Sequence, residues 1–310
     1  MVEVDCRAGK QAAYFGAGIF KRNPRWRLQP GNRVACRYKL GLSNDAVTAF
    51  DEHRQIRSAL SKWFTPKRVS EMRQEVVELA ESLVEPLSAA SGGDFYHDVA
   101  RRLPGPVFCW MFGAPTDRAD ELFELSETLL LAFTGDPRHA DSVNAAGKAM
   151  GGFVADLVDQ KRQAPADDLM SIMLDAADAG TLTIEDVPAL AFEMLGASTD
   201  NTATSAGLMI NLLAEAPDQW ATLRDSRDLV PRAIEEALRF DPPVIEITKY
   251  AREGTTLLDF EIPPESMLFV SVLAANHDPS VFADPERFDI GRKHQRPQLN
   301  FGLGRHFCLG

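Results

Sequence analysis

Cysteine is scarce in this 310-residue chain, which has only Cys6, Cys36, Cys109 and Cys308. No two of them form a C-x-x-C pair or take zinc spacing, which excludes a disulfide framework and a zinc ribbon and fits a reducing compartment. Long apolar runs are missing too. No stretch approaches the roughly 20 residues needed to cross a bilayer, and the N-terminus lacks the apolar core of a signal peptide. Positive charge is in deficit, with 33 Lys and Arg against 45 Asp and Glu and a formal net charge of −12. Such a surface disfavours non-specific binding to nucleic acid or anionic membranes. Internal repeats and low-complexity tracts are absent as well. The expectation is a globular, cytoplasmic chain of one large or two ordinary domains.

The charge is unevenly spread. Residues 1–40 hold three Lys and six Arg against Glu3 and Asp5, a net of +7 that leaves −19 on the other 270 residues. Gly, Pro and Arg are scattered there without helical or strand period, as in Arg22-Asn23-Pro24-Arg25-Trp26-Arg27. An atypical, poorly ordered basic leader over 1–45 is expected to precede a folded domain over 46–310. In that domain Met72, Val76, Leu79 and Leu83 recur at helical spacing with Glu71, Glu75 and Glu78 on other faces. Further helical patterns cover 117–134, 139–163 and 167–179. Thr183-Ile184-Glu185-Asp186 resembles a helix start and Pro217 a stop, so residues 184–216 predict a helix about 50 Å long. After Pro242-Pro243, short extended runs at 244–250 and 267–272 predict a small β region. The fold class is mainly α.

The densest motif is Phe301-Gly302-Leu303-Gly304-Arg305-His306-Phe307-Cys308-Leu309-Gly310. Its glycines permit a backbone that folds N–H groups toward sulfur, and an iron-binding thiolate needs such donors. Phe301 can pack beside the sulfur, and Phe307 and Leu309 are bulky enough to exclude water. The loop resembles the cysteine ligand loop of the cytochrome P450 family, F-G-x-G-x-H-x-C-x-G, at every fixed position. Six fixed residues at roughly 5% usage each put an accidental match at odds on the order of one in a hundred thousand.

The resemblance extends through 46–310. Ser198-Thr199-Asp200-Asn201-Thr202 stands where the family carries its acid and alcohol in the central helix. It implies that Asp200 is the acid, that Asn201 occupies the alcohol position, and that Thr202 is the next candidate. Hydroxyl and amide side chains in such a run bond back to helix carbonyls and can open a kink. Glu236-Ala237-Leu238-Arg239 matches E-x-x-R, whose i,i+3 spacing puts carboxylate and guanidinium on one face. Asp284-Pro285-Glu286-Arg287-Phe288 resembles the segment whose arginine completes a structural triad, implying Glu236, Arg239 and Arg287. Asp51 to Arg57 resembles the helix crossing the cysteine side, so His53 and Arg57, with Lys249 and His306, are implied anchors for the carboxylates of haem b. Phe301, Gly302 and Gly310 would frame the cofactor, and Cys308 would be its metal ligand.

The resemblance implies a cytochrome P450-like fold and a monooxygenase that inserts one oxygen atom from dioxygen into a small apolar substrate. Electrons would come from a ferredoxin-type or flavin reductase partner. Relatives continue into a helix behind the cysteine loop, whereas this sequence stops two residues after Cys308, so the fold is expected to lack that helix. Two rival readings accompany this one. Asn201 at the alcohol position suggests a peroxide-driven or oxidative-coupling haem-thiolate enzyme, and the missing helix suggests a non-catalytic fragment that binds haem weakly or not at all.

Overall fold

Proline sets where several helices begin. Pro66, Pro104 and Pro217 each open a helix at the first position, where a residue with fixed φ and no N–H sacrifices no hydrogen bond. The computed structural model describes residues 46–310 apart from 135, 252 and 294–296, and the basic leader expected over 1–45 lies outside the described residues. What it describes is mainly helical, with two small antiparallel sheets. The described chain up to Asp200 belongs to one compact unit and Asn201–Cys308 to a second, and the division falls within a single helix.

Among the described residues the first unit is helical: α1 Ala46–Leu60, α2 Pro66–Glu71, α3 Arg73–Ala89, α4 Phe95–Asp98, a 3-10 turn Ala100–Arg102, α5 Pro104–Phe112, α6 Ala119–Leu130, α7 Ala140–Gln163, α8 Leu169–Asp178, and the N-terminal half of α9 Asp186–Glu215. Its core combines Phe108 and Phe112 of α5, Leu122 of α6, Met150 and Leu157 of α7, Met170 and Met173 of α8, and Leu190 and Leu195 of α9. Burying each such side chain contributes roughly 1.5–3 kcal/mol. The Phe108 and Phe112 rings stack with centroids 4.2 Å apart.

A buried ion pair fixes the turn from α7 to α8. Lys161 Nζ lies 2.6 Å from Asp168 Oδ2 with both side chains nearly excluded from solvent, while the other Asp168 oxygen caps α8 by accepting from the Ser171 N–H at 2.8 Å. Gly113 ends α5 against this pair at φ +65°, and a Cβ there would collide with both charged groups. Only glycine satisfies both the conformation and the space.

The second unit contains the rest of α9, then α10 Pro217–Asp225, α11 Val230–Phe240, β1 Glu246–Ala251, β2 Thr255–Leu257, β3 Phe260–Ile262, β4 Ser266–Ser271 and α12 Val272–Asn276. β1 pairs antiparallel with β4, Glu246 opposite Ser271 and Ala251 opposite Ser266. β2 and β3 form a separate hairpin that the sequence pattern does not reveal, because three-residue strands are too short to show a period of two. Leu213, Leu223, Ala233 and Ile290 form the small core of this unit.

α9 starts as the Thr183–Asp186 run leads one to expect, with the Thr183 N–H donating to Asp186 Oδ2 at 2.9 Å. It is 30 residues long and unbroken. Within its polar middle, Ser198 and Thr199 hydroxyls fold back on the Leu195 carbonyl, each at 3.2 Å, and Ser205 on that of Asn201 at 2.7 Å.

Candidate functional site

Two glycine hinges present Cys308. Gly302 and Gly304 take φ of +70° and +73°, left-handed values that a side chain would oppose. The Gly302 N–H donates to the Leu299 carbonyl at 2.9 Å, Phe307 to Gly304 at 3.1 Å, and Cys308 to Phe301 at 2.8 Å. The loop thus doubles back on itself, with a single 3-10 turn, Gly304–His306, at its tip. The cysteine is exposed. The Phe301 and Phe307 rings have centroids 6.3 Å apart, and Phe307, expected to exclude water, is 46% exposed. A structural cysteine has a different setting in this same chain. Cys109 is fully buried in α5, where burial, aided by the Asp117 charge, pushes its thiol up to about 11. Cys308, by contrast, stands exposed at the end of its loop.

The lead-in to the loop hangs on buried amides. The Leu299 N–H donates to Asn276 Oδ1 at 2.9 Å, and Asn276 is wholly buried at the end of α12. The Asn300 side chain donates to the Leu238 carbonyl of α11. Its backbone N–H donates to Gln298 Oε1 at 2.7 Å, and Gln298 in turn donates to Glu235 at 3.3 Å.

Behind these amides lies the E-x-x-R pair. Arg239 Nε and Nη2 donate to the two Glu236 oxygens at 2.8 and 2.9 Å, and both residues are 0% exposed. The remaining Arg239 donors reach three carbonyls, those of Asn276 at 3.0 Å, Pro285 at 2.8 Å and Arg287 at 3.2 Å. Glu236 Oε1 also accepts from the Asp289 N–H and from Arg292 Nε, each at 3.0 Å. The third residue of this cluster is therefore Arg292. Arg287, expected in that role, contributes its carbonyl and leaves its side chain exposed. The turn through 284–287 aims that backbone inward, and Arg292 returns from the far side of the meander to bond the Asp284 and Arg287 carbonyls at 3.0 and 2.8 Å.

On α9, Thr199 is fully buried and its Oγ1 lies 2.8 Å from Ser126 Oγ of α6. Asp200, the next residue, is half-buried. Burial, with the nearby Glu127 charge second, holds its carboxyl above the usual range. Asn201 and Thr202 are exposed. At about 100° per residue, Asn201 stands roughly 200° round the helix from Thr199.

The four expected anchors divide between the units. His53 and Arg57 lie one turn apart on α1 of the first, each half-buried. In the second, Lys249 is exposed on β1 opposite Leu268, and His306 is exposed in the loop's 3-10 turn. Gly310, the last residue of the loop motif, is exposed. Sequence reasoning overlooked Asn276, Gln298, Asn300, Arg292 and Ser126, and gave Thr199 no role. Amides and hydroxyls of this kind look like loop and surface residues until their partners, many residues away, are known.

Comparison with known proteins bears on this site. The family model described as Cytochrome P450 matches residues 38–310. 6-Deoxyerythronolide B hydroxylase of Saccharopolyspora erythraea is 32% identical over 260 residues, covering 83% of this chain and 63% of the relative. Nocardicin C N-oxygenase of Nocardia uniformis subsp. tsuyamanensis is 33% identical over 262 residues, covering 84% and 65%. Among solved structures, the LnmA cytochrome P450 hydroxylase from the leinamycin pathway of Streptomyces atroolivaceus superimposes with a TM-score of 0.73 at 31% identity, covering 84% of this chain and 67% of that one. The chain spans just under two thirds of the length of these curated relatives.

Proposed function

This chain belongs to the cytochrome P450 family, and from that premise we propose that it is a haem-thiolate monooxygenase. It inserts one oxygen atom of dioxygen into a small apolar organic substrate and draws electrons from a ferredoxin-type or flavin reductase partner. The observation that carries this reading is the exposed Cys308 presented by a glycine-hinged loop. The names of the relatives, a hydroxylase and an N-oxygenase, support oxygen insertion as the reaction class.

Cys308 would hold the iron of haem b, with Phe301, Gly302 and Gly310 framing it, and His53, Arg57, Lys249 and His306 would supply cations or N–H donors for its two carboxylates. When bound, haem supplies a thiolate-ligated iron that activates dioxygen. The protein's own tasks would then be to hold the iron through sulfur and to supply protons. Asp200 suits the second task, because burial lets its carboxyl keep a proton closer to neutrality than a solvated aspartate does. Asn201 orients water without being an acid, and Thr202 brings a hydroxyl about 100° further round the helix.

The test is the absorption spectrum of the reduced protein under carbon monoxide. The red-shifted Soret band of thiolate-ligated haem is expected in the parent chain, and its loss in Cys308→Ser. Retention of that band in Cys308→Ser would overturn the assignment.

A further inference from the structure

Two contacts join α6 to its neighbours at the level of Asp200, and the proposed reaction as so far described uses neither. The first is the buried hydroxyl pair Ser126–Thr199, at 2.8 Å. Here α9 comes so close to α6 that a Cβ on Gly196, one turn before Thr199, would stand 4.0 Å from Ser126 Oγ. The residues next in sequence to that pair are Glu127 and Asp200. The second contact fixes Glu127: Arg101, from the 3-10 turn Ala100–Arg102, donates to Glu127 Oε2 through Nη2 at 2.6 Å and Nε at 3.2 Å. The same guanidinium lies 4.9 Å from the Phe123 ring centroid, one helical turn earlier on α6. Arg101 is thus gripped at two points of one helix face, and the carboxylate it holds has little freedom.

We propose that Ser126, Thr199, Glu127 and Arg101 are positioning residues for Asp200: the hydroxyl pair locks α6 to α9 in register, and the clamped Glu127 carboxylate acts across that lock on Asp200. Glu127 is the charged group whose field reaches Asp200, while Arg101 bears on Glu127 and has Glu124 and Tyr96 in its own field. Burial is the larger cause that raises the Asp200 carboxyl, and a second carboxylate nearby adds to it, so the arrangement favours the protonated form. The clamp matters because a free Glu127 would swing toward water and its influence would fade.

This inference rests on the reading of Asp200 as a proton donor, but its test does not depend on turnover. The carboxyl of Asp200 is titrated by infrared spectroscopy of protein labelled with carbon-13 aspartate, the band being identified by its absence in Asp200→Asn. Glu127→Gln should lower the titration midpoint. Thr199→Val, which keeps the shape and removes the hydroxyl, should lower it in the same direction, and Thr199→Ser should restore it. In the double variant Glu127→Gln with Thr199→Val the midpoint should equal that of Glu127→Gln alone, since the hydroxyl pair acts only by placing Glu127. An unchanged midpoint in Glu127→Gln, or additive shifts in the double variant, would overturn the proposal. Should Thr199→Val fail to fold, Ser126→Ala provides the same comparison from the other partner. If the midpoints move as stated while the pH profile of product formation stays fixed, the positioning stands and the donor role of Asp200 falls.

Discussion

The carboxylate of Glu236 and the guanidinium of Arg239 meet through two hydrogen bonds, 2.8 and 2.9 Å long, with neither residue reaching solvent. Removing one partner strands a buried charge, which costs about 3–5 kcal/mol. Glu236→Gln and Arg239→Met should each destabilise the fold on that scale in chemical denaturation. The same measurement separates the two arginines of the meander. Arg292→Ala should be clearly destabilising, because Arg292 bonds Glu236 and the carbonyls of Ala283, Asp284 and Arg287, whereas Arg287→Ala should stay within about 0.5 kcal/mol of the parent.

Asp200 predicts a pH signature in stability. Its folded carboxyl titrates above the unfolded one, so the folded state binds the proton more tightly. Below the unfolded value of about 4 both states are protonated and there is no penalty. As pH rises through the interval up to the folded value, the unfolded chain ionises first and stability falls. Asp200→Asn should therefore be more stable than the parent at neutral pH, with the difference disappearing in acid; denaturation midpoints across pH 3–8 would show it, and a neutral-pH loss would contradict it.

Much of this frame is legible in the residues. The Thr183–Asp186 cap, the helix stop at Pro217 and the i,i+3 spacing of Glu236 and Arg239 are local signals, and local structure follows from them. Arg292 and Asn276 were not legible. Each works through carbonyls or amides brought together across tens of residues, and an arginine five positions beyond Arg287 has no local mark that favours it. The β2–β3 hairpin escaped for the opposite reason, its strands being too short to carry a pattern.

Gly113 offers a test of close packing. At φ +65° an alanine already costs about 1–2 kcal/mol, and its Cβ would in addition force the Lys161–Asp168 pair apart. Gly113→Ala should thus lose more than the conformational term alone by thermal or chemical unfolding. A loss confined to 1–2 kcal/mol would mean that the ion pair shifts aside at little cost.

The two described cysteines should differ in reactivity. With Cys6 and Cys36 replaced by Ser, a neutral thiol reagent should label Cys308 quickly in the native, haem-free protein. Cys109, buried and with its thiol pushed up to about 11, should react only as the protein unfolds. Equal rates at the two positions would contradict the burial of Cys109.

The hydrogen bonds of Arg239 have a temporal meaning. Its guanidinium joins carbonyls 46 and 48 residues ahead of it in the chain, so that closure carries the entropy cost of a long loop. Asn276 stands between this closure and the cysteine loop, accepting from Arg239 through its carbonyl and from Leu299 through its side chain. The segment that presents Cys308 accordingly depends for its place on bonds made elsewhere in the chain. A chain still assembling, before 285–292 has docked on α11, has its sulfur but no fixed direction in which to offer it.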